Sequence, residues 1–228
     1  MTTRRNILKG GAGLAAILAT GKAPAALVRS MLAARNTIGT KSGGAKLPYD
    51  AEVEYLESTG TQYIDTGIVV TSTTRIRALA SCATTVNGFL FGSYADSTYI
   101  GAQYYSGLGL RVFCGRAATN YSQSGFVVGT AYLYDIDNSN GSISIDGSLV
   151  KTTGTSGGVG GIICAFRNNE QTESVNCKFY SIQVWDNGVL VRDFIPVRKG
   201  SVGYMYDRVS GELFGNAGTG VFGYGNDK

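Results

Sequence analysis

The sequence predicts an all-β domain of short antiparallel strands, closed as a two-sheet sandwich or a barrel, and three observations carry that expectation. Of 228 residues, 33 are glycine and only 16% are charged, about double and about two-thirds of the shares usual in soluble domains. Beyond residue 48 no window shows a sustained helical stripe; short runs rich in Val, Ile, Tyr, Phe and Thr alternate instead with clusters of Gly, Asn, Asp and Ser. Asn140-Gly141, Asp146-Gly147, Asn187-Gly188 and Ser210-Gly211 each fall between two such runs, where tight hairpins need residues that tolerate positive φ. About a dozen strands so arranged suit a sandwich or a barrel.

The chain opens Thr3-Arg4-Arg5-Asn6-Ile7-Leu8-Lys9 and then runs uncharged from Gly10 to Gly21 before Lys22. A basic start followed by a short apolar run and small residues is the layout of an export signal. The run is well short of the about 20 apolar residues that span a bilayer. The string around Arg4-Arg5 resembles a twin-arginine signal, which implies delivery of an already folded protein to the periplasm, cell surface or exterior. Ala23-Pro24-Ala25 places small residues for cleavage, yet Leu27, Val28, Met31 and Leu32 continue along one helical face. Residues 1–35 therefore read either as an export signal or as a retained helical anchor docked on a larger assembly. Residues 36–47 are polar, Gly-rich and aperiodic, a flexible linker.

The domain occupies residues 48–228. Its strand-like runs include residues 74–82, 110–114, 126–136, 142–145, 161–166 and 177–185. In the first of these Ile76, Ala78, Ala80 and Cys82 alternate with Arg75, Arg77 and Ser81, the period-two signature of a half-buried strand.

Two longer segments sharpen the reading. Residues 54–67 (EYLESTGTQYIDTG) and 193–214, from Asp193-Phe194-Ile195-Pro196-Val197-Arg198 through Gly203-Tyr204-Met205-Tyr206-Asp207-Arg208 to Phe214, resemble the opening and closing segments of concanavalin A-like, laminin-G-like jelly rolls of bacterial and phage surface proteins. Ser144-Ile145-Asp146-Gly147-Ser148-Leu149-Val150 resembles the strand–turn–strand unit near the middle of that fold. The resemblance implies an antiparallel two-sheet jelly-roll sandwich whose first and last strands pair, on a secreted, cell-surface or virion protein that binds carbohydrate.

Composition removes several functions. There is no histidine, hence no Ser-His-Asp triad, no Cys-His pair and no His-bearing zinc site. The formal charge of +4 is uneven. Residues 1–47 hold eight basic residues and no Asp or Glu, whereas the rest holds twelve basic against sixteen acidic residues. The domain is thus acidic, and nucleic acid is not an expected partner.

Glu52-Val53-Glu54-Tyr55-Leu56-Glu57 mimics the carboxylate string of laminarinase-like glycoside hydrolases, which need two carboxyl groups about 5 to 5.5 Å apart. In a plain strand Glu57 points away from Glu52 and Glu54, and the resemblance puts this segment on an outer strand, so no catalytic residue is expected. Asp135-Ile136-Asp137-Asn138-Ser139-Asn140-Gly141 approaches a calcium loop, but its spacing is one residue off and no bidentate Glu follows. A polar hairpin is the better reading, with no cofactor. Cys82, Cys114, Cys164 and Cys177 sit inside apolar runs; they read as buried thiols or as including a disulfide, and sequence cannot choose among the pairings. Sugar recognition combines aromatic platforms with planar polar groups. The candidates are Tyr94, Tyr99, Gln103, Tyr104, Tyr105, Arg111 and Arg116, followed by Asn120 and Tyr121, with Trp185 on a late strand beside Gln183. The expected function is a non-catalytic glycan-binding module, exported or displayed. A phage virion decoration or receptor-binding protein anchored by its N-terminal helix is the alternative, and a laminarinase-like glycoside hydrolase the second alternative.

Overall fold

The computed structural model describes residues 46–84, 86–96, 98–115, 118–120, 126–152, 160–169 and 175–228. The N-terminal tail, the linker as far as residue 45, Arg116 and Tyr121 lie outside the described residues.

The described chain is all-β, and its strands, numbered in chain order, form two antiparallel sheets. The larger runs β11 (Ser148–Thr152), β10 (Ser142–Ile145), β9 (Ala131–Asp137), β4 (Arg75–Cys82), β13 (Cys177–Asp186), β14 (Val189–Lys199), β15 (Val202–Asp207) and β16 (Glu212–Phe214). To it are added β1 (Ala51–Glu52) on β14, and β2 (Leu56–Ser58) between β13 and β17 (Gly223–Tyr224). The smaller sheet runs β3 (Ile64–Val69), β12 (Ile162–Ala165), β5 (Gly88–Ala95), β6 (Thr98–Tyr105), β7 (Gly109–Gly115) and β8 (Ala118–Asn120).

Alternation decides which side chains enter the space between the sheets. In β9, Tyr132, Tyr134 and Ile136 are buried while Leu133, Asp135 and Asp137 face outward; β10 adds Ile143 and Ile145 to the same core. From the opposite sheet come Leu90, Phe91, Ile100, Ala102, Leu110 and Val112. Phe91 bridges the two layers, its ring 5.6 Å from Tyr134 and 6.2 Å from Phe179 of β13. Each such ring removes a large apolar area from water, which is the main favourable term in folding.

The expected pairing of first and last strands is displaced by one: the first strand, β1, pairs with β14, and it is β2 that pairs with the last strand, β17. Leu56 faces Tyr224 and Glu57 faces Gly223, with Val53 bridged to Asp227 nearby. Within the closing segment, Asp207 is fully buried. Its carboxylate accepts the backbone N–H groups of Asp193 at 2.8 Å, Val209 at 3.1 Å and Ser210 at 3.3 Å, and faces Arg192 at 3.5 Å. One acidic residue thereby ties β14 to the β15–β16 turn, and its burial is offset by those donors.

The hairpins follow the turn residues. Asp146-Gly147 joins β10 to β11 and Asn187-Gly188 joins β13 to β14, both residues of each pair at positive φ. The run 126–136 is shorter as a strand than its composition suggests. Val127 to Thr130 forms a turn, closed by the Thr130 N–H on the Val127 carbonyl at 3.1 Å and held by the Gly129 N–H on the Cys82 carbonyl at 2.7 Å.

Candidate binding site

Three strands of the larger sheet end side by side and place Asp137, Arg75 and Trp185 in one row. Arg75 opposes Asp137 across β4 and β9, and Trp185 opposes Arg75 across β13 and β4. All three lie on the outer face, since Ile76, Ile136 and Val184 beside them fill the core. The turn at Thr71–Thr74 and the hairpins after Asp137 and Asp186 rise around this row. Thr73, Arg75, Asp137, Ser139, Trp185, Asn187 and Gly188 line a cleft of about 470 Å³.

The cleft's polar groups are held in place. Arg75 grips Asp135 with two bonds, Nε to Oδ1 at 2.7 Å and Nη2 to Oδ2 at 2.6 Å, and Arg77 reaches the same carboxylate at 2.9 Å. So fixed, the Arg75 guanidinium sits 5.4 Å from the centre of the Trp185 ring, within range of a cation–π contact. Asp137 Oδ1 accepts the N–H and hydroxyl of Ser139 at 2.9 and 2.6 Å. Asp186 takes the hydroxyls of Thr71 and Thr73, the latter at 2.8 Å, and these donors hold its carboxyl below the usual range. The Asn187 N–H closes the rim on Thr73 Oγ1 at 3.2 Å. A half-buried indole beside fixed guanidinium, carboxylate, amide and hydroxyl groups can pack on an apolar C–H face and bond the hydroxyls around it.

The structure distributes the other candidates over different surfaces. Tyr94, Tyr99, Gln103, Tyr105 and Arg111 share the outer face of the smaller sheet, while Tyr104 turns to the inner side and packs 6.0 Å from Phe126. On the outer face Tyr99 lies 4.4 Å from Tyr94, 5.0 Å from Phe113 and 6.0 Å from Phe89. Arg111 spans the rings of Tyr105 and Phe113, each 5.1 Å away. Phe89 is 2% and Phe113 4% exposed, so these rings cover one another as a packed layer. Trp185 stands apart from them, in the other sheet.

The Glu52, Glu54 and Glu57 carboxylates are engaged separately. Tyr49 donates its hydroxyl to Glu52 at 3.4 Å, Asn226 donates to Glu54, and Lys178 lies 3.8 Å from Glu57. The segment from Asp135 to Gly141 forms the β9–β10 hairpin, with Asp135 committed to two arginines and the Asn138 amide donating to the Thr71 carbonyl at 2.7 Å. The four cysteines are buried thiols. Arg75 and Asp137 enter the site only through strand register. Their signal in the sequence was the polar side of the alternation in residues 74–82 and the acidic end of the run before Asn138.

Fold and cleft together define an all-β, two-sheet sandwich with a solvent-facing aromatic cleft at one end of its larger sheet. No family model matches the chain, and no curated protein matches its sequence. Among solved structures it is similar to that of a candidate carbohydrate-binding protein from Bacteroides ovatus ATCC 8483, with a TM-score of 0.51 and 13% identity. The match covers 77% of this chain and 61% of the other. The chain thus spans about three-fifths of that protein's length, and the likeness is one of fold.

Proposed function

We propose that this protein is a carbohydrate-recognition module that works by binding rather than catalysis, with the Trp185 cleft as its site. The observation that carries the reading is the placement of the only tryptophan in a 470 Å³ cleft beside Arg75, Asp137, Asn187, Thr73 and Ser139. The carbohydrate-binding description of the Bacteroides protein of similar fold supports it. Charge narrows the ligand. Of the lining side chains, Arg75 is already paired with Asp135, and Asp137 adds a carboxylate. A neutral sugar, rich in hydroxyl donors, fits that balance better than a uronate, which would meet like charge. The Thr3–Lys9 string supports delivery of the folded module outside the cytoplasm.

A glycan array probed with the full chain, followed by calorimetric titration of the strongest ligand, tests the proposal. Replacing a central aromatic anchor removes about 2 kcal/mol or more, roughly thirtyfold in affinity. Trp185→Ala is therefore expected to lose binding on that scale while the circular dichroism spectrum is retained. Neutral oligosaccharides should bind more tightly than their uronic acid counterparts. A glycan profile unchanged in Trp185→Ala would remove the cleft from consideration.

A further inference from the structure

Cys82 closes β4 and Cys177 opens β13, and the register sets them directly opposite one another. The Ala83 N–H donates to the Asn176 carbonyl at 2.7 Å, the bond that flanks a pair lacking its own backbone bonds. Facing Cα atoms in such a pair are about 4.5 Å apart and their side chains approach closely. A disulfide needs Cα atoms roughly 4.4 to 6.8 Å apart with converging side chains. Both residues are fully buried and belong to the same core.

The other two cysteines stand opposite other residue types, Cys114 opposite Ile100 and Cys164 opposite Asp65 and Gly92. Cys114 belongs to β7 in the smaller sheet, where its Sγ lies 3.5 Å from the Asn138 amide oxygen. That is the end of the sandwich where Arg75 opposes Asp137. From Arg75 to Cys82 the whole length of β4 intervenes, about 20 Å at some 3.3 Å per residue. Cys164 alternates with the core residues Ile163 and Ala165 and so projects from the opposite face of its sheet, opposite Asp65. Burial, with the Asp65 charge beside it, pushes its thiol up to about 11.

We propose that Cys82 and Cys177 form a cross-strand disulfide when the chain folds in contact with a disulfide oxidant, clamping β4 to β13, while Cys114 and Cys164 remain thiols. With oxidised glutathione as oxidant, one cysteine thiolate attacks a glutathione sulfur and releases a glutathione thiolate. The second cysteine thiolate then attacks the mixed disulfide and releases another. Two protons pass from the cysteines to the two glutathione thiolates, and two electrons reduce one glutathione disulfide. In the folded domain burial raises both thiols above their ordinary range, which lowers their thiolate fraction and slows the exchange; the register of β4 and β13 is what sets the two sulfurs together. The bond is independent of the glycan reading.

The full chain, unfolded in urea and refolded with oxidised and reduced glutathione or with reductant alone, tests this by alkylation under denaturing conditions and intact mass. Oxidative refolding is expected to leave two alkylatable thiols instead of four, with a protease-derived cross-link joining the Cys82 and Cys177 peptides. The thermal midpoint should rise by about 10 °C over the reduced protein, as for a bond closing a loop of this length. Cys114→Ala with Cys164→Ala should retain the link, and Cys82→Ala should leave three alkylatable thiols. Four alkylated thiols after oxidative refolding, or a cross-link through Cys114 or Cys164, would overturn the proposal.

Discussion

Gly101 stands in register between Gly92 and Phe113 on the outer face of the smaller sheet. Its φ is +146°, and a Cβ there would fall 2.2 Å from the Phe91 carbonyl oxygen and 2.6 Å from the Gly92 Cα. Both obstacles are backbone, so no rotamer change relieves them. Gly101→Ala is expected to destabilise the protein by about 3 kcal/mol, from an unfavourable φ and a forced separation of β5 from β6. A urea unfolding curve would show it as a lowered midpoint; an unchanged midpoint would mean that the strands are not so closely apposed. The same close approach explains why Phe113, Phe89 and Tyr99 cover this face as a mutual stack. Where two opposed residues have no side chains, the neighbouring rings fill the space.

At the scale of elements, the β13–β14 hairpin links stability to the site. Asn187 and Gly188 take φ of 48° and 73°, and with Trp185 they form one wall of the cleft. A Cβ on Gly188 would meet nothing within 4 Å, so Gly188→Ala should cost only the left-handed conformation, about 1 kcal/mol. Glycan affinity should fall severalfold as well, read by titration beside the thermal midpoint, because the turn that orients Trp185 is loosened. Hairpins of this kind were legible in the sequence, as were the strands 74–82, 142–145 and 177–185, because turn chemistry and alternation are local. The sheet to which each strand belongs was not legible, since pairing β12 with β3 and β5, or β4 with β9, joins residues far apart in the chain. That limit also governed the site. Tyr104 and Tyr105 are neighbours in sequence yet face opposite sides, and the partners of Trp185 are Arg75 and Asp137, whose meeting depends on register alone.

For the whole molecule, the distribution of charge separates two kinds of association. Eight basic and no acidic residues lie in 1–47, and the remainder carries four more acidic than basic residues. Binding of polyanions releases counterions and weakens steeply with salt. A neutral sugar held by hydrogen bonds and ring stacking has no such dependence. The full chain should therefore be retained on a sulfated polysaccharide column at low salt and elute as salt rises. The chain from residue 48 onward, which contains every core residue among those described, should fold cooperatively, pass through that column and bind neutral glycan with unchanged affinity. Retention of the shorter chain would show that the domain itself binds polyanions, against the charge balance of the cleft. Loss of its cooperative unfolding would show that the tail belongs to the fold and that residue 48 is not a domain boundary.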